Sequence, residues 1–285
     1  MSQVTTLAEV QNQIQKYWSP IFTKQLRESL MLGSLIDKTY EGAIARQGDT
    51  VRVSQVNAPE GQLLTVGTDA DTFNTEAVST SFVDIKADKR AVAAYEFADL
   101  TELQSQISRE NPEIMESLRY AMAKQINDYL YSLVAPSTST PDHTVTGVTD
   151  FNASQLGNLR TLAAKAKWPQ VPGWYLMLDP QYYSDMLNAS TITSADFGAA
   201  DAPLIGGVVG LKRYGFIIAE DNSRTSDFGL AFHPSFMHMV TQQQVQVKIS
   251  DLHSQKKFGV VMSIDMIFGA KLGIDAGLKH ITVTA

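Results

Sequence analysis

The chain has 285 residues, of which 44% are hydrophobic and 19% charged, a balance typical of globular proteins and not of disordered ones. It contains no cysteine, which excludes disulfides, thiol nucleophiles and thiolate metal sites. Its net charge of -7 works against sequence-independent binding to nucleic acid, because that affinity comes from basic side chains that neutralise phosphates.

The sequence offers no signal for a membrane or for secretion. Apolar runs such as residues 258–264 are far shorter than the roughly 20 residues that a membrane helix needs. Residues 1–4 lack the basic start and the apolar core of a signal peptide. We therefore expect an intracellular protein with no membrane partner.

The first 36 residues predict an amphipathic helix with one interruption. Leu7, Val10 and Ile14 recur at helical spacing before Pro20 breaks the run. A second apolar stripe follows, and Gly33 is predicted to end it. Since nothing nearby offers a local core for this segment, we expect it to pack against another subunit.

Two predicted strands flank a long polar segment. Residues 50–56 alternate and are rich in β-branched side chains, and a second strand that begins at residue 81 runs on toward Tyr95. Residues 61–80 between them are polar, with only scattered apolar side chains. Because loops of this length are uncommon inside compact domains, the pattern predicts a hairpin-like projection.

A long helix is predicted next. Asp99 and Glu102 form a capping-box signature, and a second start follows at Asn111 and Pro112. One apolar stripe then continues for about five turns until Pro136. The segment predicts either a kinked pair of helices or one long bent helix.

Beyond the helix the predicted elements mix. Residues 136–150, in which Ser, Thr and Pro dominate, are predicted to be a linker. A helix is predicted over 153–167, a buried strand over 174–178, and then a helix that Asp179 caps and Pro180 begins. Further strands are predicted at residues 216–219, 228–232, 245–249 and 258–268.

No catalytic motif is present. His233 and His238 lack the spacing and the glutamate of a zinc protease. The glycine-rich residues 206–213 fail the phosphate-loop pattern, because Arg213 stands where a hydroxyl side chain is required. We therefore predict no enzyme activity, and no catalytic, cofactor-binding or metal-binding residues.

The order of the predicted elements, together with several local stretches, resembles the major capsid proteins of tailed bacteriophages, the Hong-Kong-97-type capsid fold family. The stretches are the strand, turn and helix of 175–183, the glycine-punctuated 204–218, the late strand 258–271 and the closing strand 277–283. The resemblance implies an α+β fold with an N-terminal arm, an extended β-hairpin loop, a peripheral domain with a long spine helix, and an axial mixed α/β domain.

The resemblance also implies a division of the chain. The segments are the N-terminal arm, 1–48; the extended loop, 49–90; the spine helix of the peripheral domain, 91–136; the axial domain, 137–244; the late strands of the peripheral domain, 245–272; and the final strand of the axial domain, 273–285.

The implied function is assembly. Copies of the protein would form the hexamers and pentamers of an icosahedral head in the virion, assembled in the host cytoplasm, around double-stranded DNA that is not read by sequence. A separate scaffolding protein and a portal are the other expected partners, because the arm leaves little room for a cleavable scaffolding region. No cofactor is expected.

The loop would lie over a neighbour's spine helix, and the arm would clasp an adjacent subunit. The candidate subunit contacts are Tyr17, Trp18, Phe22, Arg52, Glu60, Phe73, Lys86, Arg90, Glu102 and Arg109.

Two other classes of protein stay open. One is another phage structural protein, such as a decoration or tail subunit, although these are usually shorter or nearly all-β. The other is an α/β enzyme for a small molecule, which would use the glycine-rich segment.

Overall fold

The computed structural model describes residues 27–28, 30–40, 50–56, 58–64, 75–99, 112–134, 143–146, 150–171, 173–189, 211–224 and 229–284. The α-helices within these ranges are α1 (Leu32–Leu35), α2 (Pro112–Val134), α3 (Ala153–Lys165) and α4 (Pro180–Asn188). The strands are β1 (Thr50–Val56), β2 (Thr80–Lys86), β3 (Lys89–Ala98), β4 (His143–Thr146), β5 (Trp174–Leu178), β6 (Leu211–Arg213), β7 (Phe216–Glu220), β8 (Gly229–Phe232), β9 (Met237–Asp251), β10 (Gly259–Leu272) and β11 (Leu278–Thr284).

The described strands form three sheets. β1 and β2 make an antiparallel hairpin, and β3, β10 and β9 make an antiparallel sheet with β10 in the centre. The third sheet has six strands in the order β4-β11-β8-β5-β7-β6, with parallel pairing of β5 to β7 and of β4 to β11. Helices combined with mixed sheets give the α+β class that was predicted.

The long helix α2 lies on the three-stranded sheet. Leu118, Met122 and Leu130 recur at helical spacing and are buried in one cluster with Met262 and Ile264 of β10. Alternate residues of β10 point to this helix because successive side chains of a strand face opposite sides. The helix begins at the predicted Pro112 and ends at Val134, just before Pro136.

A second core lies between the six-stranded sheet and the helices α3 and α4. Phe151 and Tyr182 stack at 5.5 Å between ring centroids, in a cluster that also contains Leu176 of β5. The side chain of Asp179 accepts a hydrogen bond from the Tyr182 N–H at 3.3 Å, and Pro180 opens α4. The predicted strand at 174–178 and the predicted cap of the next helix are confirmed.

The N-terminal prediction needs correction where the structure describes it. Gly33 lies within α1 and does not end a helix; a Cβ at this position would be 3.7 Å from Leu130 of α2. Leu32 and Ile36 are buried in the protein's own core, so this part of the chain does have a core to pack on. Residues 1–26, which carry the first predicted helix, lie outside the described residues.

The strand predicted from residue 81 toward Tyr95 is two strands. β2 ends at Lys86 and β3 begins at Lys89, so Ala87 and Asp88 separate the two strands. This junction lies against β10, where a Cβ on Gly269 would collide with the carbonyl oxygen of Lys86. Glycine at position 269 permits this close approach of two backbones.

Other boundaries also differ from the predictions. The predicted linker 136–150 contains strand β4, which pairs with the distant β11. β9 spans Met237–Asp251 and is therefore much longer than the predicted 245–249. The predicted helix 153–167 ends at Lys165, and Lys167 adopts a left-handed conformation with φ 59°.

Candidate assembly surfaces

One of the two faces of the hairpin β1–β2 packs against its own subunit. Val53 of β1 and Ile85 of β2 are buried, and they pack with Ala87 and with Val240 of β9. Val53 and Ile85 occupy odd-numbered positions of the two strands. Odd-numbered residues of β1 lie directly opposite odd-numbered residues of β2, so their side chains share one face of the hairpin. The hairpin is therefore attached at its base.

The opposite face of the hairpin is exposed. Arg52 on β1 and Asp84 on β2 form a bidentate pair, with Nε donating to Oδ1 at 2.7 Å and Nη2 donating to Oδ2 at 2.9 Å. The hydrogen bond from Arg52 lowers the pKa of Asp84, and the same bond raises the pKa of Arg52. The guanidinium carbon lies 4.3 Å from the ring centroid of Phe82, yet Phe82 remains 58% exposed.

Apolar side chains continue along the hairpin and beyond its strands. Val56 at the end of β1 is 69% exposed, Val78 is 80% exposed and Leu63 is fully exposed. In the same region the N–H of Glu60 donates to Oε2 of Glu76 at 3.4 Å, which ties the two sides of the projection together. Within the described residues, this outer part of the hairpin presents apolar surface that its own chain leaves uncovered.

A charged triad crosses the three-stranded sheet on the face away from α2. Asp265 of the central strand β10 accepts from Nε of Arg90 on β3 at 2.9 Å, and Nζ of Lys248 on β9 lies 3.1 Å from its Oδ1. The Asp265 side chain is only 4% exposed, whereas about half of each basic side chain is exposed. The hydrogen bond from Arg90 is the largest cause of a lowered pKa at Asp265.

A buried polar junction joins α2 to the six-stranded sheet. The Tyr131 hydroxyl donates to the carboxylate of Asp221, which follows β7 and is fully buried. The guanidinium of Arg224 lies 3.9 Å from the centroid of the Tyr131 ring and donates to Asp128 at 3.1 Å. Burial, reinforced by the charge of Asp221, raises the pKa of Tyr131 well above its usual value. These contacts fix α2 against the sheet.

Residues 27–28 and 30–40 form a segment that we call the strap. At one end Nδ1 of His238 on β9 lies 2.8 Å from Oδ2 of Asp37, and Asp37 forms a parallel bridge with the same residue. At the other end Glu28 accepts from Lys124 at 2.7 Å, and Nη1 of Arg27 lies 3.4 Å from Oε1 of Glu116. The strap therefore runs from β9 along α2 toward the first turns of that helix.

Two histidines make hydrogen bonds within the fold. Nδ1 of His233 lies 2.7 Å from the hydroxyl of Ser235, and Nε2 of His280 is hydrogen-bonded to the carbonyl oxygen of Val134. Within the described ranges, no group of three or more histidine and acidic side chains could hold a metal ion. No helix among them is long and apolar enough to cross a membrane.

One surface cavity of about 320 Å³ lies at the edge of the six-stranded sheet. Its described lining is Arg160, Gln170, Trp174 and Gly215, and the Arg160 guanidinium is hydrogen-bonded to the carbonyl oxygen of Tyr214. The described lining contains no carboxylate, histidine or hydroxyl side chain. The glycine-rich residues 206–210, on which the enzyme alternative relied, lie outside the described residues.

The structure places four of the predicted contact residues. Arg52, Glu60 and Lys86 lie on the exposed hairpin, and Arg90 lies on β3 in the charged triad. The other predicted contacts lie outside the described residues: Tyr17, Trp18, Phe22, Phe73, Glu102 and Arg109. Sequence reasoning missed Phe82, although its position in the period-two pattern put an aromatic ring on the face of Arg52 and Asp84.

Comparison with known proteins supports the fold. A structure from Mycobacterium phage Che8 is 22% identical, with a TM-score of 0.74 over 94% of this chain and 96% of that one. The capsid structure of the cyanophage P-SCSP1u is 16% identical, with a TM-score of 0.74 over 96% and 94%. The capsid asymmetric unit of cyanophage Pam1 is 13% identical, with a TM-score of 0.71 over 99% of both chains.

No protein-family model matches the sequence, and no curated protein matches it. At identities this low, the structural similarity establishes the fold. The chain has the Hong-Kong-97-type capsid fold, which the order of its segments predicted.

Proposed function

We propose that this protein is a major capsid protein, which assembles with copies of itself into the hexamers and pentamers of an icosahedral phage head. The observation that carries the proposal is the hairpin. It is attached at Val53 and Ile85, while Phe82, Leu63 and Val78 lie on an outer part that the described chain does not cover. Large apolar side chains that stay exposed together on one projection suit a contact with another molecule.

The hairpin suits a contact between copies of the same chain. It projects from the subunit on two short strands, so it can reach a neighbour while its base stays fixed. Each such contact is small, but a closed shell repeats it many times, and multivalency then holds the assembly together. Closed symmetric rings also leave no free interface at which growth could continue.

The similar structures support the same function. Near-complete coverage of both chains means that this chain has counterparts for the whole capsid subunit and not for one domain alone. On this basis we keep the proposed division into arm, loop, peripheral domain and axial domain. The arm residues Tyr17 and Trp18 and the loop residue Phe73 stay candidate contacts.

The charge of the chain suits a container. With a net charge of -7, the shell would not adhere strongly to the double-stranded DNA inside it, because like charges repel. We propose a virion location after assembly in the host cytoplasm, with a separate scaffolding protein and a portal as further partners. A decoration or tail subunit is the second candidate, but the long helix α2 and the near-full-length match to capsid structures favour the shell.

Assembly can be tested by expressing the chain alone and with a scaffolding protein, followed by negative-stain microscopy and light scattering. We expect rings or shells. A matched pair of variants, Phe82→Asp and Phe82→Leu, separates the role of the hairpin from that of the fold. We expect Phe82→Asp to lose assembly at unchanged thermal stability, and Phe82→Leu to retain it. A stable monomer under all conditions, or unimpaired assembly of Phe82→Asp, would contradict the proposal.

A further inference from the structure

The segment between β1 and β2, residues 57–79, has charge of one sign, and we call it the outer hairpin. It contains four acidic residues and no lysine, arginine or histidine. Two of these acids, Glu60 and Glu76, are among the described residues, and both are exposed. They are neighbours, since Oε2 of Glu76 accepts from the Glu60 N–H at 3.4 Å. The outer hairpin therefore concentrates negative charge at the end of the projection.

The charged triad carries the opposite surplus. Its one carboxylate, Asp265, is almost completely buried, whereas about half of each basic side chain, Arg90 and Lys248, is exposed. Nε of Arg90 and Nζ of Lys248 contact the same oxygen, Oδ2 of Asp265, at 2.9 Å and 3.3 Å. The two basic groups therefore lie close enough for one external anion to touch both. Because one negative charge cannot balance two positive charges, the triad presents net positive charge to solvent.

The sheet that carries the triad does not compensate this charge nearby. Within its three strands the other acidic residues are Glu96, which is bonded to Lys257 at 3.1 Å, and Asp251 at the far end of β9. The residues directly opposite Asp265 are Val92 and Gln246, and both are exposed. Since Asp265 already orients both basic groups, they lose little further freedom when they bind an external carboxylate. The triad is a preorganised carboxylate site.

We propose that Glu60 and Glu76 of one copy bind Arg90 and Lys248 of a neighbouring copy. The inference rests on the proposed function and names the surface that receives the outer hairpin, which is the sheet face away from α2. The chain's own outer hairpin is less suited to its own triad. β2 alone carries it about 20 Å away from Lys86, and Arg90 lies just beyond that residue.

Nucleic acid is a poorer occupant of the triad than a second copy. The chain has a net charge of -7, and the triad adds a surplus of one positive charge, whereas binding to phosphates draws on many basic side chains. A second copy of an acidic chain supplies the carboxylates directly.

The pairing acts on the rate and the register of assembly more than on affinity. Exposed ion pairs add little binding energy, but complementary charges speed the encounter and exclude wrong orientations. The apolar side chains of the projection, such as Phe82 and Leu63, would supply the adhesion once the charges have aligned the two copies.

Charge reversal tests the pairing. Glu60→Lys with Glu76→Lys is compared with Asp150→Lys with Asp275→Lys, a control pair of exposed acids that changes the net charge equally. By light scattering we expect the outer-hairpin variant to assemble about tenfold more slowly than the control in about 0.1 M salt. In about 1 M salt, which screens the charges, the difference should disappear. Thermal unfolding checks that both variants fold.

A compensating change separates the pairing from other effects of the substitutions. Lys248→Glu alone should slow assembly, because the triad then repels the outer hairpin. Added to Glu60→Lys and Glu76→Lys, the same change should restore part of the lost rate. Assembly of this triple variant no faster than that of the double variant would contradict the proposal.

Engineered cysteines locate the contact, because the natural chain has none. Gly61→Cys, at a position with open space around it, is combined with Gln246→Cys beside the triad. The protein is oxidised in a mixture of isotope-labelled and unlabelled chains, and the disulfide-linked peptides are analysed by mass spectrometry. Disulfides between labelled and unlabelled chains support the proposal. Disulfides confined to single chains would show that the outer hairpin binds its own triad, and that result overturns it.

This inference and the proposed function can fail separately. Shells that form equally fast with and without the acids of the outer hairpin overturn the inference and leave the capsid function standing. A natural chain that never associates overturns both. A third result concerns a labelled DNA duplex: if Lys248→Glu weakens its binding and leaves assembly unchanged, phosphate groups occupy the triad and the inference is wrong.

Discussion

The hydroxyl of Tyr131 on α2 is hydrogen-bonded to the carboxylate of Asp221, at the point where the helix meets the six-stranded sheet. Both residues are buried, and the Ser223 N–H donates to Asp221 at 2.8 Å. This contact joins the long helix to the six-stranded sheet.

Removing the hydroxyl should be costly. In Tyr131→Phe the buried Asp221 carboxylate loses a donor, so we expect the free energy of unfolding to fall by about 1–3 kcal/mol. Urea denaturation of the unassembled subunit measures the change. Tyr129→Phe is the control, because its ring keeps the edge contact with Phe268 at 5.5 Å. Equal stability of the two variants would mean that the junction contributes nothing.

The attachment of the strap should depend on pH through Asp37. Burial raises the pKa of Asp37, but hydrogen bonds from Thr39 and His238 outweigh that effect and hold the pKa below its ordinary value. A carboxyl whose pKa is lower in the folded state stabilises fully above its unfolded value and loses that contribution as the pH falls.

We therefore expect Asp37→Asn to be less stable than the natural chain at pH 7, with a difference that shrinks below about pH 4. Urea denaturation at pH 7, 4 and 3 measures it. Asp150→Asn, at an exposed position, is the control. A difference for Asp37→Asn that stays constant across this range would exclude the proposed role of the carboxylate.

Arg90 and Lys248 should differ in their influence on Asp265. Because the hydrogen bond from Arg90 is the largest cause of the lowered pKa, Arg90→Met should raise the pKa of Asp265 more than Lys248→Met does. Carboxyl carbon shifts, followed by NMR titration of the unassembled subunit, would report both changes. The reverse order would show that the pairing from β9 dominates.

Two glycine substitutions should act in opposite directions. Gly269→Ala would drive a Cβ into the backbone of Lys86, so we expect a loss of about 3 kcal/mol or more. Gly157 lies within α3 with open space around it, and Gly157→Ala should raise the free energy of unfolding by about 0.5–1 kcal/mol. Thermal unfolding of both variants decides the matter, and a tolerated Gly269→Ala would disprove the close crossing.

Local signals in the sequence predicted the elements that are stabilised locally. Asp179 with Pro180 marks the start of α4, and the apolar stripe before Pro136 predicts α2, because caps and helical periodicity depend on residues a few positions apart. β4 could not be predicted in this way. It pairs with β11 near the opposite end of the chain, and no local pattern of Ser, Thr and Pro residues indicates a distant partner.

The candidate surfaces were predicted less completely, for a related reason. Polar character identified the projection, and with it Arg52 and Glu60, but exposure of Phe82 follows from which face of the hairpin is rooted. The attached face packs against Val240, which belongs to a strand far along the chain. The sequence likewise placed the whole arm outside the subunit, whereas Leu32 and Ile36 are core residues.

Only Ala87 and Asp88 separate the hairpin from β3, which pairs along its whole length with the central strand under α2. So short a link has almost no slack. A force that pulls on the tip of the hairpin is therefore transmitted along β3 as tension. The same force acts as shear on the hydrogen bonds between β3 and β10. A force on the projection therefore reaches the interior of its own subunit.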